Sequence, residues 1–97
     1  MKHLVETALL THGLRSVTNR ELESRWHCPE ATLAWVDRGE LKLGTIGEYL
    51  PFRERAEELV RIDCDHLEEA LQMGVSGALT ASGTMAVCQR LKLPMAI

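Results

Sequence analysis

The residues best suited to chemistry lie in one stretch, Gly74-Val75-Ser76-Gly77-Ala78-Leu79-Thr80-Ala81-Ser82-Gly83-Thr84-Met85. Small and hydroxyl side chains crowd it. Apolar residues then recur at Met85, Val87, Cys88 and Leu91, the spacing of an amphipathic helix. A helix entered this way turns several unpaired backbone N–H groups toward whatever precedes it. Small side chains admit an anion to those groups, and the helix dipole favours its negative charge. A phosphate can be held so without a lysine. The same residues also fit a glycine-rich turn leading into a packed helix, because no full phosphate-loop consensus is present. A second candidate is Glu6, the one charge in an apolar run over residues 4–10. A carboxyl among apolar neighbours is desolvated, the setting a general acid needs at neutral pH. Strand ends also carry carboxylates that simply face water or a nearby cation such as Lys2.

Composition bounds the surroundings of these residues. A length of 97 residues allows one small domain with a core and little surplus burial. Apolar residues at 45% and charged residues at 26% place it among soluble globular chains. The net charge of −3 argues against broad affinity for nucleic acid or an acidic membrane. No apolar run approaches the roughly 20 residues that span a bilayer. Met1-Lys2-His3-Leu4 lacks the apolar core and cleavage site of a signal peptide. Cys28, Cys64 and Cys88 are widely spaced, with no Cys-x-x-Cys pair. They read as reduced thiols of a cytoplasmic protein, not as a disulfide frame or a zinc site. With aromatic residues at 4%, stacking on bases is a poor main activity.

Local signals predict the elements that must position the candidates. Residues 4–10, bounded by Thr11-His12-Gly13, read as a buried strand. Thr18-Asn19-Arg20-Glu21 has the form of a capping box and predicts a helix to about His27, stopped by Pro29. Residues 32–36 and Leu41-Lys42-Leu43 read as strands joined by a turn at Asp37-Arg38-Gly39-Glu40, with Gly39 free to take positive φ. A helix is predicted over residues 52–59, a strand over 60–63, and a helix over 66–73 capped by Gly74. Trp26 and Trp35 read as core anchors. Leu93-Pro94-Met95-Ala96-Ile97 reads as the opening of another buried strand. The order strand, helix, hairpin, helix, strand, helix, helix, strand predicts an α/β fold, a layered and partly parallel sheet with flanking helices. The residues after such a last strand usually carry the site. Residues 1–97 are therefore expected to be a single domain or a fragment of something longer; the resemblance described below implies the N-terminal part of a larger α/β-α fold.

The middle of the chain admits a different reading. Residues 21–26 could begin a helix-turn-helix, residues 29–36 could be its recognition helix, and residues 41–49 a wing. Excisionase-type and mercury-regulator-type DNA-binding domains look like this, and Arg20, Arg25 and Arg38 would then share a face. Charge opposes it: the recognition helix would offer Glu30 and Asp37 against Arg38 alone, where a groove-reading helix carries several cations.

Three segments in order carry a resemblance. They are Glu6-Thr7-Ala8-Leu9-Leu10-Thr11-His12-Gly13-Leu14, then Pro29-Glu30-Ala31-Thr32-Leu33-Ala34 with Gly39-Glu40-Leu41-Lys42-Leu43-Gly44, then Gly77-Ala78-Leu79-Thr80-Ala81-Ser82-Gly83-Thr84-Met85. The first is similar to the Glu-Ser-Thr…His-Gly motif of the pseudouridine-5′-phosphate glycosidase family, also called indigoidine-synthase-A-like. The second resembles its Pro-Ala-Thr-Ile-Ala…Gly…Lys-Val-Gly hairpin, and the third its Gly-Ala-Thr-Thr-Val-Ala-Ser-Thr-Met helix entry. Residues 93–97 resemble the strand after it.

The resemblance implies an α/β fold of roughly 300 residues, at the upper end of single domains. It implies a lyase or hydrolase that breaks the C–C glycosidic bond of pseudouridine 5′-phosphate, giving uracil and ribose 5-phosphate. Such enzymes use a divalent metal, commonly manganese, and are usually homo-oligomers. A lysine opens the ribose as a Schiff base while a glutamate donates a proton. Carried over, Glu6 falls on the proton donor, Arg61 on a substrate-binding lysine, and Ala81 on a substrate contact, with the Thr80 hydroxyl beside it. Arg61 is a departure, since a guanidinium pairs with phosphate but cannot serve as an amine nucleophile. Its other reading is a solvated arginine at a strand end. His12 reads as a turn residue, and His27, His66 and the three cysteines as packing or surface residues.

The family's Schiff-base lysine and metal-ligating aspartate fall beyond residue 97. Of the lysines present, Lys42 should face water between Leu41 and Leu43, Lys92 should sit at a helix end, and Lys2 is terminal. No metal is therefore expected to be held by this chain, and no turnover by it alone. If Glu6 and the helix entry form one site, their strands must be neighbours with ends at one edge of the sheet. The expected partner is a phosphorylated nucleoside or sugar phosphate.

Overall fold

A computed structural model describes residues 4–14, 16–26 and 31–92. Five strands form one mixed sheet: β1 (Leu4–Val5), β2 (Thr32–Asp37), β3 (Glu40–Gly44), β4 (Val60–Ile62) and β5 (Gly77–Leu79). Four α-helices flank it: α1 (Asn19–Ser24), α2 (Ile46–Arg53), α3 (Leu67–Met73) and α4 (Ala81–Leu91). The expected α/β layered sheet with flanking helices is what forms.

Strand β2 is the spine. Its side chains alternate across the sheet, as a pleat requires. Ala34 and Val36 join Leu4, Ile62 and Leu79 under α3 and α4, where Leu67, Ala70, Val87 and Cys88 close one core. Leu33 and Trp35 point the other way, to Leu10, Leu22, Tyr49, Phe52 and Leu59 under α1 and α2. Trp35 stacks its ring 5.0 Å from Tyr49 and 6.0 Å from Phe52, a tilted aromatic cluster. Trp35 is thus the expected anchor, while Trp26 is half-buried at the margin of the same core.

The hairpin between β2 and β3 forms as expected, with Arg38 at φ 50° and Gly39 at φ 81°. Two consecutive positive φ values make the turn twist with the strands. Lys42 lies on the wet side and meets Glu40 at 2.9 Å, which holds the Glu40 carboxyl below its usual range.

Several boundaries differ from the sequence expectation. The first strand ends at Val5, and residues 7–13 form a helical turn that widens to π geometry over Leu9–Gly13. Thr7, Ala8, Leu10 and Thr11 are buried and Leu9 is exposed, so the apolar run follows a helical period after Val5. Helix α1 begins at the expected Thr18 cap, where the hydroxyl accepts the Glu21 N–H at 3.1 Å, but ends at Ser24. Pro29 lies outside the described residues. The helix expected over residues 52–59 starts six residues earlier, because Thr45 and Glu48 form a complete capping box; only a 3₁₀ turn, Ala56–Glu58, remains at the far end. Gly77–Leu79 is a buried strand inside the stretch that also fitted a glycine-rich turn, and α4 starts at Ala81. Residues 32–36, most of the recognition helix in the DNA-binding reading, lie within β2. The strand expected over residues 93–97 lies outside the described residues.

One side chain fastens the segment between β1 and α1. Arg53, at the end of α2, is 7% exposed. It donates Nε–H to the Leu10 carbonyl, Nη2–H to those of Leu14 and Val17, and Nη1–H to Asn19 Oδ1, each at 2.6 Å. A planar fork of fixed donors suits four acceptors spread around one point. Arg53→Met keeps the stem and strips the donors from these acceptors. It is expected to lower stability by about 3 kcal/mol, the scale of several charge-assisted hydrogen bonds lost from partly buried groups. A urea titration should show the midpoint falling at unchanged slope; an unmoved midpoint would mean that water serves these acceptors equally well.

Candidate functional site

Strand β3 covers one edge of β2 from Leu33 to Asp37. The other edge is shared. β1 pairs parallel with Thr32 and Leu33, and β5 pairs antiparallel with Trp35 and Val36. The carboxyl ends of β1 and β5 therefore meet head-on at Ala34. Thr7 stands in the gap: its hydroxyl donates to the Ala34 carbonyl at 2.9 Å and accepts the Leu79 N–H at 2.8 Å. The hydroxyl occupies the place where a direct bond of the β2–β5 ladder would run.

Glu6 directly precedes Thr7, and Thr80 directly follows Leu79. The structure thus brings the neighbourhoods of Glu6, Thr80 and Ala81 to one point, although β1 and β5 are not lateral neighbours as expected. Glu6 is half-buried just past β1, not on the strand. From this point the chain leaves in opposite directions. After β1 it turns toward the Tyr49 core, carrying Leu10 there; after β5 it turns into α4 over the Leu79 core. Chain departures to opposite faces mark the switch points at which doubly wound sheets bind ligands.

Thr80 caps α4, its hydroxyl accepting the Gly83 N–H at 3.2 Å. The Thr80 N–H donates to the Ile62 carbonyl at 3.0 Å, continuing the parallel β4–β5 pairing. Ala81 and Ser82 open the helix, and no intrahelical carbonyl can take their N–H groups. Ser82 Oγ accepts the Cys64 N–H at 3.2 Å, tying the end of β4 to this helix end. Arg61 lies one strand away, exposed on β4 opposite Ala78. His12 keeps a structural role: its Nε2–H donates to the Leu59 carbonyl at 3.1 Å.

One feature at the carboxyl end of β4 escaped the sequence reading. His66 Nδ1–H donates to Asp63 Oδ1 at 2.6 Å, and the same oxygen accepts the Asp65 and His66 N–H groups at 3.1 Å. The hydrogen bond from His66 holds the Asp63 carboxyl below its usual range, and Asp63 in turn raises the His66 imidazole. The i, i+3 spacing of an aspartate and a histidine straight after a strand was the available signal. Cys64 beside them is exposed and Cys88 is buried.

A cleft of about 500 Å³ opens elsewhere, beside Arg53 and between Asn19, Glu54 and Glu58. Arg53 is already engaged there by three backbone carbonyls and Asn19, and carboxylates line the mouth, so the cleft does not suit an anion.

The architecture is similar to one already solved. An indigoidine synthase A-like protein from Thermotoga maritima superposes with a TM-score of 0.71 at 18% sequence identity. The match covers 97% of this chain and 34% of that one, so this chain spans about a third of its length. At that identity the likeness concerns the fold. No protein-family model and no curated protein sequence matches the chain. Among the described residues no helix is long and apolar enough to cross a membrane.

Two measurements check this geometry. Gly83 approaches the Ile62 carbonyl so closely that an added Cβ would lie 2.2 Å from its oxygen. Alanine in place of glycine ordinarily stabilises a helix by about 1 kcal/mol. Here the overlap should reverse the sign, with Gly83→Ala costing at least about 2 kcal/mol in urea unfolding; a stabilised variant would rule out the close approach.

The second concerns pH. The raised His66 contributes stability that is complete below its ordinary pKa of 6.5 and lost as pH rises through its folded value. The lowered Asp63 contributes above 3.8 and loses its share as pH falls through its folded value. The pair is therefore fully effective between those two ordinary values. Asp63→Asn should bring the His66 titration, followed by its ring-proton resonance, down toward the unperturbed position. An unchanged midpoint would show the pair is not formed in solution.

Proposed function

We propose that this chain supplies the first third of a pseudouridine-5′-phosphate glycosidase-like enzyme, and within it the proton donor and part of the substrate-binding surface. Supporting this is the meeting of Glu6 with the Thr80 and Ala81 helix end across the Thr7 hydroxyl, at a point where the chain leaves to both faces of the sheet. In this reading the Glu6 carboxyl protonates the base as its bond to the sugar breaks. The first N–H groups of α4 and the Arg61 guanidinium hold the phosphate of a phosphorylated nucleoside or sugar phosphate. The Thr80 hydroxyl, engaged as the cap, acts by presenting those N–H groups.

The nucleophile and the metal belong to the rest of such an enzyme. Lys42 is paired with Glu40 on the hairpin, and Lys92 follows α4. Among the described residues no group of three or more histidine, cysteine, aspartate or glutamate side chains could hold a metal ion. The divalent ion, manganese in the family resembled, would be held by that remaining part. A homo-oligomer in the cytoplasm completes the proposal.

The DNA-binding alternative lacks its recognition helix, and the same experiment tests both. In a titration of the labelled chain with ribose 5-phosphate, amide shifts should concentrate at Ala81, Ser82 and Arg61. Shifts concentrated at Arg20, Arg25 and Arg38, or none in the α4 entry, would overturn the assignment. Incubated with pseudouridine 5′-phosphate and manganese, the isolated chain should release no uracil.

A further inference from the structure

The segment from Thr7 to Asn19 is fastened by several buried and part-buried polar bonds, and those to Tyr49 and Arg53 come from α2. Thr11 donates its hydroxyl to the Thr7 carbonyl at 2.8 Å. With that proton committed, the hydrogen bond between Thr11 and Tyr49 has the Tyr49 hydroxyl as donor. Tyr49 is fully buried, and burial pushes its pKa up to about 12 against the opposing pull of Thr11, Thr7 and the Arg53 charge. It stays a neutral donor at physiological pH. Arg53, one turn along α2, holds the next stretch through the carbonyls of Leu10, Leu14 and Val17. These bonds reach Thr7 at its carbonyl, while its own hydroxyl stands between Ala34 and Leu79.

We infer that Thr7 is a positioning residue: its hydroxyl, held in register from α2 by Tyr49 and Arg53, sets the place of Glu6 relative to the Thr80 and Ala81 end of α4. The inference rests on the reading above that Glu6 and this helix end serve one site. Its physical core is a relay of two hydrogen bonds. Glu6 is one peptide from the relay on one side and Thr80 one peptide from it on the other. Remove the oxygen and the ladder has two outcomes. Leu79 and Ala34 close directly and expel the turn that follows Glu6, or both stay unpaired in a buried setting, which is costly for a backbone amide and carbonyl. Either way the spacing between acid and helix end changes.

The test uses the labelled 97-residue chain and four variants. Thr7→Val matches the shape and loses the hydroxyl; Thr7→Ser keeps it. Tyr49→Phe removes only the donor to Thr11. Leu67→Ala, in the core under α3 that Ala34 and Leu79 also enter, is a destabilised control that removes none of the relay's hydrogen bonds. Without ligand, Thr7→Val should speed Leu79 amide exchange by about tenfold, the scale of one buried hydrogen bond. It should also move the Glu6 side-chain and Ala81 amide resonances. Thr7→Ser should restore both, and Tyr49→Phe should show the same pattern more weakly. Leu67→Ala should leave those resonances in place, which separates positioning from general loss of stability. The inference is overturned if Thr7→Val leaves Glu6 and Ala81 unmoved, or if Leu67→Ala moves them equally. Should Thr7→Val not fold, the remaining pair decides: Tyr49→Phe must move the two resonances and Thr7→Ser must not. Ribose 5-phosphate added to the wild type reads the functional assignment alone. An absence of shifts at Ala81 would refute phosphate binding while the ligand-free comparison still decides the role of Thr7.

Discussion

Two strands arriving from opposite directions cannot both finish a hydrogen-bond ladder on the same short edge. β2 offers one residue, Ala34, between the part paired with β1 and the part paired with β5. A direct bond from Leu79 would bring β5 onto the space that the chain leaving β1 must occupy. The Thr7 hydroxyl resolves this because it donates and accepts at once, serving the Ala34 carbonyl and the Leu79 amide at normal distances. An alanine or valine here could do neither. A serine could do both but would lose the methyl from a fully buried position. The core under α3 and α4 depends on this junction, because Leu4 enters it from β1 and Leu79 from β5.

The second constraint is the charge buried at the end of α2. A guanidinium saturated by neutral acceptors is costly to bury, and here it is retained where three carbonyls of irregular backbone need donors. Among the described residues from 10 to 19 no strand satisfies them by a ladder. Arg53 does for this segment what a sheet partner does elsewhere. The arrangement explains why α2 packs as it does: the aromatic cluster of Trp35, Tyr49 and Phe52 sets the helix against β2, and the polar ends of Tyr49 and Arg53 then reach the segment after β1.

The parts of the fold legible in the sequence were those governed by local chemistry. Thr18 with Glu21, Gly39 in its turn and Gly74 as a left-handed cap announce themselves within four residues. Thr45 with Glu48 carried the same signal and should have moved the start of α2 forward. The misread segments were those where burial has two possible periods. Leu4 to Leu10 holds five apolar residues, compatible with a strand or a helical turn, and the choice is made by Thr7 and Thr11 through partners 27, 38 and 72 residues away. Gly77 to Leu79 lies in a stretch whose glycines also fit a turn. Gly77 is glycine for a different reason: an added Cβ would lie 2.5 Å from the Val60 carbonyl, so the close approach of β4 demands it. The candidate site was legible as residue types. Its assembly was not, because a head-on junction of two strands leaves no periodic trace.

In sheets wound in both directions, ligands bind beyond the carboxyl ends of strands where the connections part to opposite faces. β4 and β5 obey that rule in the ordinary way, as parallel neighbours whose ends, Ile62 and Leu79, are in register. β1 runs against them, and in an ordinary sheet its carboxyl end would lie at the far side. It reaches the same place because it approaches along the shared edge of β2 from the other direction and stops short at Ala34. Glu6, which follows β1, is thereby brought in the chain to within one residue of the hydroxyl that meets Leu79, just ahead of the α4 end. Under the proposed function the two would serve different parts of one ligand, a proton delivered at one point and an anion held at another. Neither group alone implies a site. A carboxylate at a strand exit and a capped helix are both common, and it is the single hydroxyl joining them that makes their separation a fixed quantity of the fold.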